Sequence, residues 1–400
     1  MLEGKTVVLG VSGSIAAYKI AGLASMLVKQ KADVHVIMTR NAANFINPIS
    51  FETLTSNKCL IDTFDRNFQF HVEHVALAKK ADLFLVAPAS ADIIGKIAGG
   101  IADDMLTTTI MATQAPRLIA PAMNTHMYLN PIAQDNLKKL ESYGYQVIRP
   151  AEGYLACGDV GAGKMPEPDL LFDYIQQEIG ARHDLAGKKI LVTAGPTREA
   201  IDPVRFISNH STGKMGYAVA RAAMLRGAQV TLVSGPVEIA PPPFVNLISV
   251  ISAEQMAEEV IRLAPKMDAI VKAAAVADYR PIKVENEKIK KQEGGATIEL
   301  ERTQDILRYL GEHKREGQFL CGFAMETRDL LENAKSKLES KHADLIVANS
   351  LRTAGAGFGT DTNVVTLIDH RGQRELPLMT KAQVADAILD YMKECGVWIL

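Results

Sequence analysis

Residues 156–165 read ACGDVGAGKM, a single cysteine set among three glycines with little apolar around it. A structural cysteine prefers a core and a disulfide needs a partner. Cys157 shows neither, so its position calls for a chemical role. Two imidazoles stand in HVEHVALAKKADLF: His71 and His74 would suit a base near neutral pH, although a lone histidine on an amphipathic helix is more often structural. PAMN, residues 121–124, places the Asn124 amide where a strand runs out, with no helix cap evidently required. In the second half STGKMG (211–216) invites a phosphate-loop reading and fails it. A Walker loop needs GxxxxGK followed by Ser or Thr; here Met215 follows Lys214, and Ser208 stands where the first glycine belongs. What survives is a glycine-rich loop leading into a helix, either an anion site or a plain turn with a capped helix. Lys288, Lys290 and Lys291 cluster after a strand that ends near Asp278, and Lys337 and Lys341 lie four apart on one helical face. A charge run is usually a solvated face; behind a strand end it becomes a candidate phosphate clamp.

These groups need elements to position them. TVVLGV (6–11), DVHVIMT (33–39), LFLVAPA (83–89) and RLIAPA (117–122) are short apolar runs punctuated by Gly, Pro or Asp. Between the first two, Ile15, Ile20, Leu23 and Leu27 recur at helical spacing. Near-continuous apolar strands alternating with amphipathic helices predict a parallel sheet covered on both faces. The pattern restarts when LEGKTVVLGVSG finds an echo in LAGKKILVTAG (185–195), followed by QVTLVSG, AIVKAAAV, FLCGFAM, DLIVANS and VVTLID. The polar QQEIGARHDLAGKK between the halves reads as a boundary, and PPP at 241–243 as a loop. The expectation is α/β: two Rossmann-like, doubly wound parallel-sheet domains in tandem, residues 1–180 and 181–400.

Four hundred residues exceed one hydrophobic core. With 48% hydrophobic and 22% charged residues and a net charge of −2, the chain gives no global reason to expect a nucleic acid or an anionic membrane as partner. No signal-peptide pattern or membrane-length apolar run stands out, and the four cysteines form no CxxC pair. A reducing cytoplasm is expected. In such sheets ligands sit beyond the carboxyl ends of the strands. GVSGSIAAYK offers Gly13 and Ser14 leading into a helix, either a phosphate site or a tight turn; its spacing is not GxGxxG. Ser90 and Asp92 read equally as caps of the helix that follows.

GSIAAYK, SADIIGKIAGGIADDML, PAMNTHMY and ACGDVGAGKM resemble the homo-oligomeric flavin-containing cysteine decarboxylases. TAGPTRE, ISNHSTGKMG, AAAVADYR, EKIKK and GFAMET resemble phosphopantothenate–cysteine ligase, in the same order over nearly all of the second half. Together they resemble the bacterial bifunctional decarboxylase/ligase family of coenzyme A biosynthesis. The resemblance implies FMN, with its phosphate near Gly13, Ser14 and Ile15 and further contacts from Thr39, Ser90, Ala91, Asp92, Ile93 and Ala122. It implies that flavin oxidises the thiol-bearing carbon of a C-terminal cysteine to a thioaldehyde, a sink for the departing CO2. Cys157 on a mobile flap would then give the proton, His74 would serve as base, and Asn124 would orient the substrate carboxylate. The family often carries Trp where this chain has Tyr128.

For the second half the resemblance implies attack of the 4′-phosphopantothenate carboxylate on the α-phosphate of CTP, then displacement of CMP by the amine of cysteine. Mg2+, expected mainly on the CTP phosphates, and lysines would carry the charge. Lys288 is assigned to the triphosphate. Asp278, Phe323, Lys337 and Lys341 would hold CTP with the backbone near Ala273, Ala274, Gln304, Asp305, Ile306 and Leu307. Asn209 would hold the pantothenate carboxylate or the acyl-cytidylate. Homo-oligomers are implied, decarboxylase trimers building a dodecamer and ligase dimers, with flavin sites between subunits. The alternatives are a non-catalytic flavoprotein regulatory subunit, which keeping Cys157, His74 and Asn124 disfavours, and an NAD(P)-dependent oxidoreductase, which the missing GxGxxG disfavours.

Overall fold

The structure, a computed structural model, describes residues 2–64, 73–156, 158–180, 183–290, 297–326, 330–350, 357 and 359–395. The chain divides into two compact units, Met1–Ala181 and Arg182–Leu400.

In the first unit β1 (Thr6–Val11) is buried throughout. Val7, Leu9 and Val11 face one layer and Val8 the other, so both faces of the strand exclude water. Around it stand β2 (Asp33–Met38), β3 (Leu83–Ala89), β4 (Arg117–Pro121) and β5 (Tyr145–Val147), all parallel, in the order β2-β1-β3-β4-β5. One face is covered by α1 (Ala17–Lys29), α2 (Pro48–Thr55) and α8 (Pro168–Ile179) through Ile20, Leu23, Leu27, Phe51, Leu171 and Ile175. The other is covered by α3 (Glu73–Lys80), α4 (Ala91–Gly99), α5 (Met105–Ala112) and α7 (Pro131–Ser142). The short α6 (Thr125–Leu129) and the hairpin of β6 (Ala151–Tyr154) with β7 (Val160–Lys164) complete the unit. The chain reverses its winding direction between β1 and β3, the point where such sheets open a crevice.

The second unit orders its main sheet β12-β11-β8-β13-β16-β17-β19-β20. These are β8 (Lys189–Ala194), β11 (Gln229–Ser234), β12 (Asn246–Ser249), β13 (Ala269–Lys272), β16 (Phe319–Glu326), β17 (Leu345–Ser350), β19 (Val365–Asp369) and β20 (Gly372–Glu375). Short pairs sit outside it: β9 (Arg198–Ala200) with β10 (Phe206–Ser208), β14 (Tyr279–Pro281) with β15 (Leu300–Arg302), and β18 (Thr362–Asn363) with β21 (Met379–Thr380). α9 (Lys214–Leu225) and α13 (Lys381–Glu394) cover one face, and α10 (Ala253–Leu263), α11 (Ile306–His313) and α12 (Leu330–Ser340) the other.

Two expectations change. VVTLID forms β19, which pairs with β17 antiparallel, so the parallel run stops at β17. An apolar run states that a strand is buried and not which way it points. The proposed boundary also narrows, because Gln176–Ile179 form the last turn of α8. Among the described residues no helix is long and apolar enough to cross a membrane.

Candidate active sites

In the first unit the loops leaving β1 and β4 and the β6–β7 hairpin enclose a cleft of about 670 Å³, within the range of cofactor sites. Ser14, Ile15, Ala122 and Asn124 line it together with Met123 and Tyr154. α1 starts without a side-chain cap, and its Ala17 and Lys19 N–H groups donate to the Ser14 and Ala16 carbonyls at 3.0 and 3.1 Å. An anion there would meet the Ser14 hydroxyl and the N–H groups of the glycine-serine turn ahead of the helix. Gly13 is glycine for a steric reason: a Cβ there would lie 2.8 Å from Asn41 Cβ. The residues therefore fit a phosphorylated flavin, with the anion at the start of α1 and an apolar wall beside it.

The remaining expected contacts lie at the same sheet edge but do not line this cleft. The Thr39 hydroxyl accepts from the Ala42 N–H at 3.2 Å. Ser90 is the N-cap of α4 and accepts from the Ile93 N–H at 3.4 Å. Ala91, Asp92 and Ile93 form that helix's first turn; Ile93 is buried in the core, and Asp92 faces Lys96 at 3.8 Å. Ser12, absent from the sequence reading, ties these ends together. Its buried hydroxyl donates to the Pro88 carbonyl at 2.7 Å and accepts from the Ser90 N–H at 2.8 Å. A serine between a strand and a glycine carries no signal of that depth.

Asn124 does cap a helix, contrary to expectation. Its carbonyl oxygen accepts from the His126 N–H at 2.8 Å at the start of α6. That bond turns the amide nitrogen toward Asp159, whose carboxylate accepts at 2.6 Å. The amide is thus set in a position to hold a carboxylate. Cys157 lies outside the described residues; Ala156 before it lines the cleft. The glycines of its motif have a contact to explain them. A Cβ on Gly163, which holds φ +133°, would lie 2.3 Å from the Met123 carbonyl oxygen, and one on Gly161 would lie 2.8 Å from Thr125 Cγ2. β7 therefore rests directly on the PAMNT loop, and the Gly163 carbonyl accepts from the Met123 N–H at 3.1 Å. His74 stands in the first turn of α3 rather than ahead of it, and does not line the cleft; His71 lies outside the described residues. Cys59 and Cys321 are buried thiols, and burial pushes Cys59 up to about 12.

In the second unit a small cavity of about 130 Å³ opens where α9 begins and β13 and β16 end, lined by Gly213, Lys214, Ala273, Ala274 and Phe323. Gly213 is a left-handed N-cap at φ +77° with no side-chain cap on the helix, and Gly216 lets α9 close on β8, since a Cβ would lie 2.6 Å from that of Ala194. Lys214 is engaged elsewhere, with the Gly359 carbonyl at 2.9 Å and Asp361 at 2.8 Å. Asn349 also lines the cavity, 5% exposed, with a buried amide oxygen that has no hydrogen-bond partner among the described residues. Such an atom is a place for a ligand donor.

Asn209 donates to the Ala275 carbonyl at 3.0 Å, and the Ala274 N–H donates to the buried Thr193 hydroxyl at 3.1 Å, so these loops form one wall. Lys288 is exposed on residues 285–290. Asp202 fastens that segment, accepting from the N–H groups of Ile289 at 3.1 Å and of Val204 and Arg205 at 2.8 Å. Burial pushes the Asp202 carboxyl up, but these donors and the Arg205 side chain outweigh it and hold it well below the usual carboxylate range. Asp278 and Gln304 are exposed, and Ile306 and Leu307 are buried in the first turn of α11. Asp305 caps α11, accepting from the Arg308 N–H at 3.0 Å, and pairs with Lys341 at 2.5 Å. Lys337 donates to the Phe323 carbonyl at 3.3 Å. The Coulomb field of this group includes Lys272, a further lysine that the sequence reading passed over although it ends an apolar strand. Among the described residues no group of three His, Cys, Asp or Glu could hold a metal.

Residues 1–180 match the family model described as Flavoprotein, and residues 185–395 match the DNA/pantothenate metabolism flavoprotein C-terminal domain. The coenzyme A biosynthesis bifunctional protein CoaBC of Bacillus subtilis is 50% identical over 393 residues, 97% of either chain. Its namesake from Vibrio cholerae is 45% identical over 395 residues, 98% of this chain and 99% of its own. A crystal structure of the C-terminal domain of a CoaBC protein is 48% identical, with a TM-score of 0.46, covering 53% of this chain and 97% of its own.

Proposed function

We propose, for a chain that belongs to the CoaBC family of bifunctional coenzyme A biosynthesis proteins, that residues 181–400 join 4′-phosphopantothenate to cysteine with CTP and residues 1–180 decarboxylate the product to 4′-phosphopantetheine. The observation that carries this reading is the pairing of both domain types, in this order, over 97% of a bifunctional relative. The product of one half is the substrate of the other.

In the first unit the start of α1 with Gly13, Ser14 and Ile15 would hold the phosphate of FMN, and Ala122 the wall of its ring. When bound, the flavin supplies reversible two-electron oxidation of the thiol-bearing carbon, which gives the departing carboxylate an electron sink. Asn124 holds and orients that carboxylate; its present bond to Asp159 supports the assignment. Cys157 would give a proton to the carbon skeleton left by decarboxylation, and His74, outside the cleft of its own chain, would serve as base at a site formed between subunits. Glycines 161 and 163 seat the hairpin on the PAMNT loop.

In the second unit the pantothenate carboxylate attacks the α-phosphate of CTP, the bond to the β-phosphate breaks, and pyrophosphate leaves. The amine of cysteine then attacks the acyl carbon, CMP departs with the bonding pair, and the amide forms after loss of the amine proton. Lys288 holds the triphosphate, Asn209 the carboxylate or the acyl-cytidylate, and Asp278, Asp305, Phe323, Lys337 and Lys341 the nucleotide. Mg2+ would travel on the CTP phosphates. The reading includes a cytoplasmic homo-oligomer, with ligase dimers and decarboxylase trimers.

Mass spectrometry of a one-pot reaction tests this. Full-length protein with 4′-phosphopantothenate, cysteine, Mg2+ and CTP should yield 4′-phosphopantetheine, and Cys157→Ser should stop at phosphopantothenoylcysteine. Accumulation of that intermediate by both would leave a ligase only. The absence of any cysteine adduct would return the non-catalytic regulatory reading.

A further inference from the structure

β13 lies at the switch point of the second sheet, between β8 and β16, and ends on Lys272, in register with Thr193 and Gly322. Its first three residues are buried. Ile270 packs into the layer of α10, α11 and α12, and Val271 into that of α9 and α13. Strand alternation puts Lys272 on the side of Ile270. The charged groups that face it there come from every neighbouring element: Asp305 capping α11, Lys337 on α12, Lys341 just beyond α12, and Asp278 on the loop after β13 itself.

The other two lysines have acceptors, Lys341 in Asp305 and Lys337 in the Phe323 carbonyl. No acceptor among the described residues bonds the Lys272 ammonium. Three cations against two carboxylates leave one positive charge uncompensated at the half-buried end of a core strand, an arrangement that favours the arrival of an anion.

We propose that Lys272 is a third cation of the nucleotide site and donates to a phosphate oxygen of the bound nucleoside triphosphate. The inference rests on the ligase reading of this unit. Burial lowers Lys272 to about 8, with Lys337 and Lys341 adding to the fall and Asp305 and Asp278 opposing it. An arriving polyanion favours the charged form, so above pH 8 nucleotide binding takes up a proton. The same linkage makes affinity fall as pH rises past that point.

The test is titration calorimetry of the full chain with Mg–CTP at pH 7 and 8.5, in buffers of unequal ionisation enthalpy. A group with this value is roughly three-quarters deprotonated at pH 8.5 and about one-tenth at pH 7. The wild type should therefore take up more than half a proton per CTP at pH 8.5 and little at pH 7, while cytidine should bind without uptake. Lys272→Arg, which never loses its charge, should bind CTP with no uptake at either pH. Lys272→Met should bind roughly tenfold or more weakly, again without uptake. CTP binding without proton uptake in the wild type would overturn the role of Lys272 and leave the ligase reading standing. So would Lys272→Met with unchanged affinity. Failure of the wild type to bind CTP would overturn both.

Discussion

The two units present different surfaces at the carboxyl ends of their parallel strands. The first opens a cleft of about 670 Å³ walled by Ile15, Ala122 and Met123, with a hairpin lying across the PAMNT loop. The second has a cavity of about 130 Å³ in a unit whose Lys214, Lys341 and Lys337 are met by Asp361, Asp305 and the Phe323 carbonyl. Topology decides where a ligand goes: beyond the carboxyl ends, where the strand order reverses. The side chains on that edge decide what can be done there. A flat redox group needs apolar walls and an anchor for one phosphate, whereas phosphoryl chemistry needs fixed cations.

The sharpest way to break this contrast is Gly163→Val. The added carbon meets the Met123 carbonyl at 2.3 Å in a conformation side chains avoid, so the hairpin must shift. Phosphopantetheine formation should fall by roughly 100-fold while ligation is unchanged, both read by mass spectrometry. An equal fall in both products would mean that the hairpin supports the whole chain and not one site.

Next in size is an acid-stability difference. Burial pushes the Asp184 carboxyl up, but hydrogen bonds from Arg226 and Lys393 prevail and lower it to about 2. A carboxyl depressed in the folded state stabilises above its unfolded value near 3.8, and loses that contribution as pH falls toward 2. With Asp184 15% and Arg226 5% exposed at the side chain, the pair contributes about 2 kcal/mol at neutral pH. Asp184→Asn should lower the melting temperature of the second unit at pH 7 and flatten its decline between about pH 4 and 2; an unchanged decline would rule the pair out as its source.

Lys341→Met should weaken CTP about tenfold by leaving the Asp305 carboxylate unpaired beside the nucleotide, with the flavin absorbance unaltered. Calorimetry reads the first and a visible spectrum the second. The smallest effect belongs to Asp33 in the first unit. It too is lowered to about 2, by Lys80, Asn57 and His35 against burial. Its pair with Lys80 is 39% and 52% exposed, so solvent screening leaves less than about 1 kcal/mol. Asp33→Asn should shift acid unfolding of the first unit only slightly; a shift as large as that of Asp184→Asn would show that exposure does not distinguish the two units.

Runs such as TVVLGV and LFLVAPA are legible as strands buried on both faces because a short unbroken apolar run is a local property of the sequence. The glycine-rich loop of STGKMG, leading into a helix, was likewise legible in the residues themselves. What reading along the chain could not supply is which distant groups meet. Ser12 meets Ser90, Asn124 meets Asp159, Ile289 meets Asp202, and Lys272 joins Lys341 across 69 positions of chain. Nor does an apolar run carry a direction, which is why VVTLID joined the sheet antiparallel. Composition and spacing determined that two α/β units would form and which residue types were unusual. Strand order, strand direction and the pairing of charges were left to tertiary packing, because those depend on which surfaces are buried against each other, and no property of a single segment records that.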